Sequence, residues 1–250
     1  MQNILLPAIL LSLCCLVCMI LFFSGLWKVL LRTRWERKKQ TRVFFRTLTL
    51  LVVWVLLLSV LSLRGFFSDF SHLPPRPGLA LLLPLPVALL AAFSKGGREL
   101  LSCVPPQWLI YLQSFRIVVE IVLWLAVLRG LLPVQMSFEG RNFDILSGLF
   151  AIPVGYYCFV RKTWPSWIVL VYNTGGLLLL LNIVLIAVLS MPTPLRIFHN
   201  GPANTLVGDF PFIFLPGLLV PLAYTLHIFS LRQWVIARYT ERSISQPVKG

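Results

Sequence analysis

Acidic residues are scarce in this chain: eight in 250, against twenty-two lysines and arginines. Charged residues of both signs make up only 12% of it, about half the share of about 25% usual for a soluble domain. A water-soluble fold needs a polar shell that this composition cannot build. A bilayer removes the need, because lipid-facing apolar side chains have no water to avoid. The few cysteines exclude little and suggest less. Cys14, Cys15 and Cys18 fall in the first apolar run, Cys158 in a later one and Cys103 in a short loop. No Cys/His grouping has zinc-like spacing, so the thiols are read as small apolar packing residues, and neither metal nor cofactor is expected. HExxH, GxSxG and phosphate-loop patterns are missing as well, which leaves no enzyme signature to build on.

What the chain has in abundance is apolar sequence, 58% of it. Seven runs are long enough to cross about 30 Å of hydrocarbon as helices, at about 4–26, 44–63, 78–94, 108–128, 143–160, 166–190 and 210–231. The expectation is an all-α integral membrane protein forming one seven-helix domain over residues 1–250. Residues 1–15 carry no basic segment before the apolar run, so a cleaved signal peptide is not expected. Pro84 and Pro86 in the third run, and Pro216 and Pro221 in the seventh, predict kinks. The seventh run has no lysine, which excludes a retinal Schiff base.

The formal charge of +14 is spread between the apolar runs and not gathered in one basic domain, which argues against nucleic acid as a partner. Sixteen basic residues fall on one side of the predicted bundle and five on the other, with Arg116 inside a run. The positive-inside rule then puts the N-terminus outside and the C-terminus in the cytosol. Trp35, Trp108, Trp164, Trp167 and Trp234 border the basic side, as interfacial anchors do. Eight basic residues between 28 and 46 read as a loop that binds anionic lipid headgroups.

Polar residues inside the runs supply the candidate site. Gln113, Arg116, Glu120 and Trp124 step by three, four and four along the fourth run, on one helix face. Each mid-membrane charge is disfavoured by about 2.5–3.5 kcal/mol, so Arg116 and Glu120 are expected to face the interior, close enough to pair with each other. Asn173 to Gly176 interrupt the sixth run, either as a packing motif or as a partly unwound binding segment, and Asn182 follows. Ser147, Ala151 and Gly155 form a small-residue packing stripe, and His227 is placed near the cytosolic end of the seventh run. The stretch "FEGRNFD", residues 138–144, concentrates Glu139, Arg141, Asn142 and Asp144 at the outer end of the fifth run. Asn142 is expected to cap that helix, with Asp144 in its first turn and Arg141 paired with Glu139 or Asp209.

The longer stretch "FEGRNFDILSGLFA" resembles a segment of uncharacterised, Bacteroidetes-type bacterial integral membrane proteins. The resemblance implies a bacterial inner-membrane location and transfers no catalytic residue. Three functions fit the sequence. The first is binding or transport of a small solute or lipid through an interior lined by Gln113, Arg116, Glu120, Asn173 and Asn182, with Glu139, Arg141 and Asp144 at its mouth. The second is a membrane enzyme using Glu139, Asp144 and His199. The third is a non-catalytic assembly or sensory subunit.

Overall fold

The computed structural model describes residues 2–245, with side chains described from Ile4 to Arg238. Lys249 and the side chain of Arg242, counted above on the basic side, lie outside the described residues. All regular structure among the described residues is helical. Six helical stretches are long and apolar enough to cross a membrane, and a seventh, Ile145–Val160, is apolar but shorter.

The first two helices, α1 (Gln2–Arg32) and α2 (Arg37–Leu63), extend well past their apolar runs. The predicted basic loop therefore shrinks to residues 33–36, and most of its charges ride on helix ends. Lysine and arginine are good helix formers, so charge ended the hydrophobic run without ending the helix. The turn is closed by Gln40 Nε2, which donates to the Trp35 carbonyl at 3.0 Å.

The third crossing is broken where its prolines predict, into α3 (Arg76–Leu82) and α4 (Pro84–Phe93). Proline has no N–H to give the preceding turn and is suited to a helix start, where Pro84 sits. An amphipathic helix follows, α5 (Lys95–Cys103), in a stretch whose hydropathy predicts only a loop. Ser94 caps it by accepting from the Gly97 amide at 2.9 Å. A Cβ on Gly97 would meet the Ala91 carbonyl oxygen at 1.7 Å, so the turn admits only glycine.

The fourth crossing is α6 (Pro106–Tyr111) and α7 (Phe115–Leu128), joined by a tight 3₁₀ turn at Leu112–Ser114. Next come α8 (Ile145–Gly155), ending in a π turn to Val160, and α9 (Trp167–Leu189). The latter runs unbroken through Asn173–Gly176, so that segment is not unwound: Gly176 admits a neighbour without losing backbone bonds. Last is α10 (Val220–Ser245), entered through a π turn at Leu215–Leu219 that accommodates Pro216 and Pro221.

α10 sits at the centre, against α9, α4, α6 and α5, while α2 packs mainly on α1. Trp54 holds α2 to the core by donating from Nε1 to the Gly217 carbonyl at 2.7 Å. The connections gather in two groups. In one, Cys103 Sγ lies 3.7 Å from the Arg32 carbonyl, Trp35 donates to Glu99, and Gln233 Nε2 donates to the Leu101 and Val104 carbonyls. In the other, Ser62 Oγ donates to the Gly208 carbonyl at 2.8 Å, and Asn182 Nδ2 to the Arg141 carbonyl at 2.9 Å.

The packing stripe on α8 is present. Ser147, Ala151 and Gly155 are buried, and a Cβ at Gly148 or Gly155 would meet Ile117 or the Tyr111 ring at 2.7 and 2.4 Å. These contacts run α8 antiparallel to α6 and α7. They also put the start of α8 level with the middle of α7, not with its end. The segment 129–144 must therefore fold back into the bundle before α8 begins.

Candidate functional site

That returning segment carries a polar side chain to each charge on α7. Arg116 is 2% exposed and Glu120 1%, so each needs a partner from the protein. Asp144 supplies the first. Its carboxylate takes the guanidinium side-on, Arg116 Nε to Oδ2 at 2.7 Å, with a second, shorter contact between Nη2 and Oδ1. Such a two-point pair matches the planar fork of arginine to a carboxylate. Asn142 supplies the second partner: its Nδ2 donates to Glu120 Oε1 at 2.6 Å and to the Met136 carbonyl at 3.1 Å. Asn142 Oδ1 accepts from the Asp144 amide at 3.1 Å, which fixes the turn between them.

Three expectations are corrected here. Arg116 and Glu120 do not pair with each other, because better-placed partners arrive from the returning segment. Asn142 is not the helix cap: the capping position is Asp144, whose side chain is engaged by Arg116 instead of by the first-turn amides. Arg141 makes no ion pair with Glu139 or Asp209. It lies exposed, its guanidinium 5.6 Å from the centre of the Phe198 ring, while Glu139 accepts from Trp124 Nε1 at 2.9 Å and Asp209 from Ser68 Oγ at 3.2 Å.

On its far side Arg116 reaches α10. Its Nη1 is 2.9 Å from His227 Nε2, and His227 Nδ1 is 2.9 Å from Asn173 Oδ1. A guanidinium can only donate, so Nε2 accepts and the histidine proton sits on Nδ1, where it is donated to Asn173. Asn173 Nδ2 then donates to Ser230 Oγ at 2.9 Å and to the Val169 carbonyl at 2.8 Å. His227 is fully buried, not interfacial as expected. The helix runs past Leu231, where the predicted run ended, so position 227 falls near the middle of the Leu215–Arg238 crossing. The signal that could have placed it is the glycine opposite: a Cβ on Gly176 would meet His227 Cε1 at 2.4 Å.

Of the sequence candidates, Arg116, Glu120, Asp144 and Asn173 thus meet in one buried network, with His227 and Asn142 added. Gln113 is buried nearby and donates to the Ala223 carbonyl at 3.1 Å. Asn182 is not part of it; it tethers the returning segment from outside. Glu139 and Arg141 stay at the rim. The exposed His199 joins neither Glu139 nor Asp144 in any described hydrogen bond or ion pair. No group of three or more potential metal ligands occurs among the described residues. Contrary to the expectation of no metal-like cysteine spacing, Cys15 and Cys18 form a Cys-x-x-Cys pattern, buried within α1 as free thiols.

Beyond the buried core, Asp69 forms a surface cluster. Ser71 hydrogen bonds, from side chain and backbone, hold its carboxyl below the usual carboxylate range, and Arg76 at 2.7 Å adds to the effect.

Beside the network lies a partly open cavity of about 100 Å³, between α3, α7, α9 and the turn that enters α10. Its walls are almost wholly apolar, among them Leu123, Leu180, Ile183 and Phe212, with Glu120 and Asp144 at one end. Comparison with family models, curated proteins and solved structures found no match to this chain. The chemistry of the site rests on this geometry.

Proposed function

We propose that the protein is a seven-crossing integral membrane protein that binds a small apolar or lipid-like molecule in the cavity beside Glu120. The cavity itself carries the reading. It is smaller than the apolar cavities of about 150 Å³ that hold benzene, so it suits one segment of a chain more than a bulky solute. Its walls offer dispersion contacts, and its polar end offers orientation. Passage of a polar solute is less well supported, because the guanidinium, histidine and amide groups already satisfy one another. That closure favours a second reading, a non-catalytic assembly or sensory subunit in which the network fixes helix register.

Lipid analysis of the protein purified from membranes tests the first reading. A co-purifying apolar species is expected, and Val184→Phe, which grows a ring into the cavity, should remove it. Anionic lipids should also be enriched, through the basic residues between 28 and 46, and Gln at Lys38, Lys39 and Arg42 should weaken that enrichment while leaving the apolar species in place. Retention of the apolar species by Val184→Phe would count against the cavity.

The seven-crossing topology, with the N-terminus outside and the C-terminus in the cytosol of a bacterial inner membrane, is part of this proposal. Its support is the basic asymmetry together with the two groups of connections. Reporter fusions at residue 38 and in the tail after 235 should respond as cytosolic, and those at 70, 130 and 203 as external. A cytosolic response at 130 would end the seven-crossing plan.

A further inference from the structure

The reading of the cavity as a binding site can be carried to the chemistry of its occupant. Two side chains in its wall have an oxygen with no partner, and both are buried: Glu120 Oε2 and Asn204 Oδ1. Glu120 is 1% exposed and Asn204 fully buried. Each is held so that its other polar atom is already used. Glu120 gives Oε1 to Asn142. Asn204 donates from Nδ2 to the Ala187 carbonyl at 3.1 Å, and its backbone amide donates to the Ser190 carbonyl at 2.8 Å. The free atom of Asn204 is therefore a carbonyl oxygen, which can only accept. A buried acceptor without a donor costs about 1–3 kcal/mol, and the surrounding walls are apolar, so the donor must come from what fills the space.

The two oxygens sit at different depths. Asn204 adjoins the last turn of α9, among the connections. Glu120 is eight residues, about 12 Å of helix rise, from the end of α7. We infer that the cavity takes an uncharged apolar molecule bearing hydroxyl groups, whose O–H donates to Asn204 at the rim or to Glu120 at depth. A hydroxyl both donates and accepts, so it serves Glu120 whether that carboxyl is ionised or protonated. A carboxylate or phosphate head is excluded by charge. It would face the acceptors of Glu120, Asp144 and Asn204, while the Arg116 guanidinium is engaged by Asp144 and His227.

The inference rests on the proposed function, and its test separates the two. Three photoreactive diazirine alkanes of equal length, ending in a hydroxyl, a methyl ether or a methyl group, are applied to the full-length protein in lipid nanodiscs. Labelled peptides are then mapped by mass spectrometry. The hydroxyl probe is expected to label residues 180–191 and 204–220 roughly three- to tenfold more than the others, the gain one net hydrogen bond gives. Glu120→Gln keeps an acceptor for Asn142 but turns the cavity-facing atom into an NH₂ donor, so the ether probe should gain on the methyl probe there. Equal labelling by all three probes, lost in Val184→Phe, would overturn the hydroxyl preference and leave the apolar site standing. Labelling by every probe that ignores Val184→Phe would remove both.

Discussion

Asp144→Ala is expected to lower the stability of the protein in detergent by about 3–5 kcal/mol, the usual loss when one partner of a buried ion pair is removed. The size follows from what remains. Arg116 is 2% exposed and lies far from either end of its crossing, so water cannot replace the missing carboxylate. The guanidinium would keep only His227 and a long contact of 3.5 Å to the Gly176 carbonyl. Arg116→Leu should cost as much, because it strands Asp144 beside Glu120. The double variant Arg116→Leu/Asp144→Leu is expected to recover at least half of either single loss, since well-packed apolar pairs often equal buried ion pairs. Thermal unfolding of the four proteins closes the cycle. Additive losses with no recovery would mean that the two side chains do not hold each other.

Gly175→Ala and Gly176→Ala should move stability in opposite directions, although they are adjacent in one helix. Nothing lies within 4 Å of a Cβ built on Gly175. Alanine there should stabilise by about 0.5–1 kcal/mol, the cost of glycine within a helix. At Gly176 the Cβ would meet His227 Cε1 at 2.4 Å and Nε2 at 2.6 Å. The ring cannot retreat without giving up Arg116 or Asn173, one on each nitrogen. Overpacking of this kind costs about 1–3 kcal/mol, so Gly176→Ala should lower the melting temperature where Gly175→Ala raises it. Equal effects at the two positions would show that His227 is not seated against this glycine.

These contrasts mark where the sequence was legible. Hydropathy located the six helices long and apolar enough to cross a membrane, because a bilayer demands long apolar runs, and the α7 face with Arg116 and Glu120 followed from helical periodicity alone. The cost of a membrane charge also dictated that both be buried. It could not say with what. Asp144 stands 28 residues from Arg116 and Asn142 stands 22 from Glu120, and no local rule links them. A polar stretch at the edge of an apolar run is normally a solvated cap, so the return of residues 129–144 into the bundle had no sequence mark beyond its unusual polarity. His227 was misplaced for a simpler reason: the apolar run stops at Leu231 before Arg232 and Gln233, while the helix continues through them into residues 234–237. Asn204 has no mark in the sequence, because a loop asparagine carries no signal of burial.

The separation of partners along the chain has a consequence for assembly. On the proposed topology α7 reaches the membrane carrying Arg116 and Glu120 ahead of residues 142 and 144, and His227 follows later still. The crossing is thus, for a time, a helix with two uncompensated charges and a weak claim on the hydrocarbon. It becomes a sound membrane helix only when the next hairpin arrives with its own polar groups turned inward. α7 and α8 are in this sense one unit of insertion, and the polar stretch between them is the seam along which that unit closes.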